Sequence, residues 1–139
     1  YAEEAKYIHM ACHGYFNPFD PRLSALRLAD GYLSAVEVSS MKLSCELTAL
    51  SACMTGVLEL ELRGREALGL VAAFQSAGAK RVIASLWSVD DISTSELFTE
   101  FYGNLRTMDY AHALKRAMLS VRNRCDSEYF WAPFQLYGI

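Results

Sequence analysis

The sequence lacks the motifs that mark several common classes of protein. It contains no Cys-x-x-Cys pair, so a zinc ribbon or a thioredoxin-type redox site is not expected. No apolar run reaches the roughly 18–20 residues that cross a bilayer. Neither GxGxxG nor GxxxxGK[ST] occurs, which argues against a nucleotide- or phosphate-binding domain. We therefore expect a protein without a membrane span, a metal ion or another cofactor.

Basic charge is also scarce and scattered. The 13 Lys and Arg residues are outnumbered by 16 Asp and Glu residues, and the net charge is −3. A protein that binds nucleic acid normally carries a basic stripe, so no nucleic acid partner is expected. The four cysteines match no disulfide framework, and charged residues stand where a signal peptide would be apolar. These features favour reduced thiols and a cytoplasmic location.

What the chain does contain is typical of one folded domain. It has 139 residues, of which 53% are hydrophobic and 21% are charged. This length and composition suit a single domain, 1–139, with one core. The chain starts without Met, and "YAEEAK" resembles the end of a helix that is already under way. We therefore expect the sequence to be a C-terminal piece of a longer protein.

Apolar runs and capping residues predict alternating strands and helices. Pro133 near the start of the last predicted strand indicates an edge position in the sheet. Continuous apolar strands that alternate with helices predict an α/β fold whose mostly parallel sheet is covered on both faces. The predicted elements are buried strands at 6–12, 46–52 and 80–87, a hairpin at 25–34, a helix at 35–41 opened by a Ser34–Glu37 capping box, a loop at 54–64, a helix at 65–78 closed by Gly78, a helix opened by a Ser93–Glu96 capping box, a helix at 110–124 capped by Asp109, and a strand at 132–138.

Two of the predicted strands end in reactive residues. "HMACHGYF" at 9–16 contains His13 and Gly14, and "ALSACMTG" at 49–56 contains Cys53. The carboxyl ends of parallel strands meet at one edge of a sheet, so these residues are expected to lie close together. An imidazole beside a thiol can activate it as a nucleophile, and a nearby glycine gives a carbonyl close access to backbone N–H donors. The alternative is a buried structural cysteine and an unrelated histidine.

Several motifs in order resemble the CHAT domain. They are "ACHG", "LSACMTG", "GLVAAFQSAGAKRVIASLWSVDD", "FYGNL" and "WAPFQLYG", and the resemblance runs from about residue 7 to 139. CHAT domains are caspase-like cysteine peptidases related to separase, often attached to tetratricopeptide repeats. The resemblance implies a caspase-like three-layer α/β/α sandwich, here without its N-terminal strand or strands. It also implies His13 as general base, Cys53 as nucleophile, and an oxyanion hole from the backbone N–H groups of Gly14 and Cys53.

The resemblance predicts a cysteine endopeptidase that cleaves proteins or peptides under the control of another domain or a partner protein, such as tetratricopeptide repeats. The alternative is a caspase-like interaction domain that has lost its activity. The sequence favours the enzyme, because an inactive copy would have no reason to keep both the histidine and the cysteine at the two strand ends.

Four further residues near the ends of the predicted strands have expected roles. Asp90 and Asp91 either initiate the helix that follows or, as in separase-like proteins, line a pocket for a Lys or Arg at P1, the substrate residue before the cleaved bond. Cys12 is expected in the core, on the opposite face of its strand from His13. His9 is interpreted as a hydrogen-bonded core or surface histidine.

Overall fold

A computed structural model describes residues 4–15, 17, 19–51, 53–54 and 66–138, with only the backbone given at 53–54 and 66–68. In chain order the elements are β1 (Tyr7–Met10), β2 (His13–Tyr15), a 3₁₀ turn (Pro21–Leu23), β3 (Ala25–Leu28), β4 (Gly31–Ser34), α1 (Ala35–Ser40), β5 (Leu47–Leu50), β6 (Cys53–Met54), α2 (Glu66–Ala77), β7 (Arg81–Ser85), α3 (Asp91–Asn104), α4 (Tyr110–Arg122), α5 (Glu128–Trp131) and β8 (Phe134–Gly138).

Four strands form the main sheet in the order β1-β5-β7-β8. The first three are parallel, and β8 runs antiparallel to β7. The protein is therefore an α/β protein with a mostly parallel sheet. The edge position predicted for the last strand from Pro133 is confirmed. All four residues of β5 are buried, as the apolar run at 46–52 predicts.

Helices pack on both faces of the main sheet. Val82 and Ala84 on β7 belong to a buried cluster with residues of α1 and α2, which we call the α1–α2 cluster. Ile83 lies between them and belongs to a second cluster with residues of α3 and α4, the α3–α4 cluster. Successive strand residues face opposite sides, so the alternation places one helix pair on each face. The prediction of a sheet covered on both faces is confirmed.

A second, smaller sheet has the strand order β4-β3-β2-β6. The predicted hairpin at 25–34 is its β3–β4 pair, and β2 lies antiparallel to β3 and parallel to β6. The prediction of one buried strand over 6–12 holds in part: a strand is present at Tyr7–Met10, but it is shorter and more exposed than predicted. That run is apolar, but β1 stops at Met10, is half-exposed, and pairs on one side with β5 among the described residues. The chain then crosses at Ala11 and Cys12 into the second sheet.

Helix caps agree with the sequence at two of three predicted positions. The Ser34–Glu37 capping box opens α1, and Asp109 caps α4. The prediction that Ser93 caps α3 is wrong, because the Asp90 carboxylate accepts a hydrogen bond from the Ser93 backbone N–H at 2.9 Å. The helix therefore begins three residues earlier than predicted, at Asp91. No described helix has the length and apolar character needed to cross a membrane. The predicted loop at 54–64 falls, apart from Met54, outside the described residues.

Candidate active site

The parallel pairing of β2 with β6 brings His13 and Cys53 side by side. The two residues are register partners, and Gly14 is the partner of Met54. Forty positions separate them in the sequence, yet neighbouring strands lie only about 4.8 Å apart. The arrangement follows from the main sheet, where Met10 and Leu50 are also partners. His13 follows Met10 by three residues, and Cys53 follows Leu50 by three residues. The pairing of β2 with β6 therefore keeps the register of β1 with β5.

The second sheet presents His13 on its outer face. On the inner side Leu26 is fully buried and Leu33 packs against the α1–α2 cluster. Gly14 is the register partner of Leu26 and is buried with it. His13, one residue earlier, is exposed, as the alternation of a strand requires. The imidazole is therefore accessible to a substrate.

A cleft of about 590 Å³ opens beside His13, and we call it the main cleft. It lies between the carboxyl ends of β1 and β5 and one side of α3 from Asp91 to Tyr102. Its lining is mixed in character, with carboxyl, hydroxyl, imidazole and aromatic groups. The lining residues are His9, Ala11, Cys12, His13, Ser51, Asp91, Thr94, Ser95, Phe98, Thr99 and Tyr102.

The two aspartates occupy different environments. Asp90 is the N-cap of α3, and its hydrogen bond from the Ser93 backbone N–H holds the pKa of its carboxyl below the ordinary range. Asp91 lies in the first turn of α3, is exposed, and lines the main cleft. The sequence left helix initiation and substrate recognition open for both residues. The structure gives Asp90 the capping role and places Asp91 on the wall of the cleft that His13 also lines.

Cys12 is only partly in the core. Its side chain is half-buried, packs against the α1–α2 cluster and also lines the main cleft. The expectation of a core cysteine therefore holds in part, because the chain turns at Cys12 instead of continuing the strand. Burial raises the pKa of this thiol. A raised pKa lowers the thiolate fraction, which makes Cys12 a poor nucleophile despite its position.

Sequence reasoning missed a hydrogen-bonded group at the base of the main cleft. His9 Nε2 lies 2.9 Å from Ser51 Oγ, and His9 Nδ1 lies 3.1 Å from the Tyr102 hydroxyl. The Phe98 ring packs against the same imidazole, with 4.5 Å between ring centroids. His9 is thus hydrogen-bonded, as expected, but its partners lie 42 and 93 residues away. No local pattern could have identified them.

This environment gives His9 and Tyr102 shifted pKa values. Burial lowers the pKa of His9 and raises that of Tyr102 to about 12. Both groups are therefore neutral near pH 7, where the neutral imidazole can donate from one nitrogen and accept at the other. The Ser51 and Tyr102 hydroxyl groups form hydrogen bonds with the two ring nitrogens of His9, one with each.

The His9 environment predicts a loss of stability on acidification. Because the folded-state pKa lies below the ordinary value of 6.5, the unfolded chain takes up the proton first. The free energy of unfolding should therefore fall as the pH drops below that value. Urea denaturation at a series of pH values from about 8 to about 5 measures the slope of the free energy of unfolding against pH. His9→Gln should flatten it, whereas Tyr102→Phe should keep it, since the imidazole still titrates there. An unchanged slope in His9→Gln would show that another group governs the acid sensitivity.

Among the described residues no group of three or more His, Cys, Asp or Glu side chains could hold a metal ion.

The sequence was compared with known proteins and protein families. No curated protein matches the sequence significantly. The family model of the CHAT domain matches residues 2–139, which is almost the whole chain. The chain therefore belongs to the CHAT domain family.

Proposed function

We propose that this CHAT domain is a caspase-like cysteine endopeptidase with a His13–Cys53 dyad. The observation that carries the proposal is the parallel register that pairs these two residues beside the main cleft. Family membership supports it, and the helix pairs on both faces of the main sheet support a caspase-like three-layer sandwich.

The proposed reaction assigns one role to each group. His13 takes the proton of the Cys53 thiol, and the thiolate attacks the scissile carbonyl carbon. The oxyanion that forms is stabilised by the backbone N–H groups of Gly14 and Cys53. As the C–N bond breaks, His13 gives its proton to the leaving amine. Water, deprotonated by His13, then attacks the acyl-enzyme, which releases the new carboxyl terminus and restores the thiol.

Asp91 is proposed to recognise a basic residue at P1. Its carboxylate lines the same cleft as His13, and the neighbouring Thr94 and Ser95 add hydroxyl groups to that wall. Asp90 is engaged by the helix terminus. A Lys or Arg side chain that enters the cleft would displace water from Asp91 and so strengthen their attraction. The substrate would be a protein or peptide with Lys or Arg before the cleaved bond.

Regulation and location complete the proposal. Another domain or a partner protein, such as tetratricopeptide repeats, would control the activity. The nucleophile is a thiolate, which stays active only while it is reduced, so we place the enzyme in the cytoplasm.

The substrate class is tested with a peptide library that contains every residue at P1, with products identified by mass spectrometry. We expect cleavage after Lys or Arg, and a drop of about tenfold or more in kcat/KM for these peptides in Asp91→Asn. Asp90→Asn is the matched control, since it weakens the helix cap and should keep the P1 preference. A preference for acidic or apolar P1 residues would refute the role of Asp91. Cleavage of no peptide would favour the inactive interaction domain.

A further inference from the structure

A row of four register partners crosses the second sheet. Cys53 is the register partner of His13, His13 of Arg27, and Arg27 of Tyr32. The row continues from the proposed dyad onto the β3–β4 hairpin. Arg27 and Tyr32 are exposed, and 65% of the surface of Tyr32 is accessible. Their strand neighbours Leu26 and Leu33 belong to or pack against the α1–α2 cluster. The hairpin therefore presents a cation and a phenol in line with the dyad.

His13, Arg27 and Tyr32 line a second concave surface. It has a volume of about 250 Å³, is lined by His13, Gly14, Tyr15, Arg27 and Tyr32, and we call it the Arg27 groove. His13 also lines the main cleft, which contains Asp91. His13 is thus shared by two depressions, one with the carboxylate of Asp91 and the other with the guanidinium of Arg27.

The charge of Arg27 is not neutralised by the part of the chain that the structure describes. Three other arginines do form ion pairs there: Arg22 with Asp20 at 2.9 Å, Arg81 with Glu46 at 3.4 Å and Arg124 with Glu96 at 3.3 Å. No such contact joins the Arg27 guanidinium to a carboxylate among the described residues. An exposed guanidinium presents several N–H donors that match a carboxylate.

We propose that Arg27 and Tyr32 bind an acidic side chain in the first two residues after the cleaved bond, the P1′ and P2′ positions. This inference rests on the proposed peptidase function. In that reaction the acyl group is bonded to Cys53, while the leaving amine is on the side of His13, which protonates it. The primed residues therefore leave the dyad in the direction of β3.

The dimensions agree with the first or second primed residue. Neighbouring strands lie about 4.8 Å apart, and an extended peptide advances about 3.3 Å per residue. A peptide that starts at His13 and crosses the sheet thus reaches Arg27 within two residues. A Glu or Asp side chain there would accept hydrogen bonds from Arg27, with the Tyr32 hydroxyl within the same groove. The preferred substrate would have a basic residue before the cleaved bond and an acidic one after it.

The test compares matched peptides with Arg at P1 and either Glu or Gln at P1′ or P2′. We expect the wild type to prefer Glu at one of these positions by about tenfold in kcat/KM. Arg27→Gln should remove that preference, and Arg27→Glu should replace it with a preference for Lys. The control is Arg116→Gln, which changes an exposed arginine on α4 and should leave the preference unchanged.

A binding measurement keeps the test independent of turnover. The same matched peptides, now with a fluorescent label, are titrated into the inactive Cys53→Ala variant, with and without Arg27→Gln. Binding is followed by fluorescence anisotropy. The Glu peptide should bind about tenfold more tightly than its Gln partner only when Arg27 is present. Equal affinities, or equal kcat/KM values in a wild type that cleaves through Cys53, would overturn the subsite and leave the dyad intact. Cleavage that persists in Cys53→Ala would instead refute the peptidase mechanism itself.

Discussion

Alanine at His13 is expected to lower kcat/KM for a basic-P1 peptide by about a thousand-fold or more. The imidazole is the only group proposed to take the thiol proton and to protonate the leaving amine. Without it, the thiol stays mostly protonated near pH 7 and the amine leaves without an acid. The rate is measured with the peptide that the library identifies, over a range of pH. Because a free thiolate forms at higher pH, residual activity in His13→Ala should rise with pH.

Variants of the cysteines supply the comparison for this loss. Cys53→Ala should be at least as inactive as His13→Ala, and the double variant should lose little more, because the two residues act as a unit. Cys125→Ala is the matched control, since Cys125 follows the end of α4 and lines neither the main cleft nor the Arg27 groove. Retention of more than about a tenth of the activity in His13→Ala would contradict the dyad.

Alanine at Gly78 should cause a large loss of stability. Gly78 ends α2 with a φ of 116°, a conformation that residues with a side chain rarely adopt. A Cβ there would also collide with the carbonyl oxygen of Leu43. That segment is tied down, since the Leu43 N–H donates to the Ala77 carbonyl at 2.6 Å. The strain cannot be relieved locally, so we expect a cost of about 2–4 kcal/mol.

Gly103 in α3 is the control for that change. Added at Gly103, a Cβ has no heavy atom within 4 Å, and the residue is helical. Gly103→Ala should therefore leave stability unchanged or raise it by up to about 1 kcal/mol. Urea denaturation of both variants measures the difference. Similar free energies of unfolding for Gly78→Ala and the wild type would show that the turn after α2 can rearrange.

Features that depend on local chemistry could be predicted from the sequence. The capping residues Ser34, Glu37 and Asp109 bind backbone groups within three positions, so the pattern alone identifies them. Gly78 was predicted to close α2 because glycine accepts a positive φ at low cost. The helix cap at α3 was misplaced because Asp90 and Ser93 are both good capping residues, and the pattern does not rank them.

Features that depend on distant pairing could not be predicted in the same way. The second sheet consists of strands of two to four residues, too short for a periodic signal. Its pairing places Arg27 in line with His13, which neither strand indicates by itself. The partners of His9 likewise come from the end of β5 and from α3. By contrast, the meeting of His13 and Cys53 was predictable, because each follows a strand of the same parallel pair.

Covalent trapping of Cys53 tests the central claim most directly. The protein is incubated with a thiol-reactive peptide ketone that has Arg at P1, and the modified residue is mapped by mass spectrometry. We predict a single adduct on Cys53, formed far more slowly in His13→Ala, with Cys12 unmodified because burial keeps its thiol protonated. Labelling of Cys12, Cys45 or Cys125 in place of Cys53, or labelling of Cys53 at the same rate in His13→Ala, would contradict the proposed dyad.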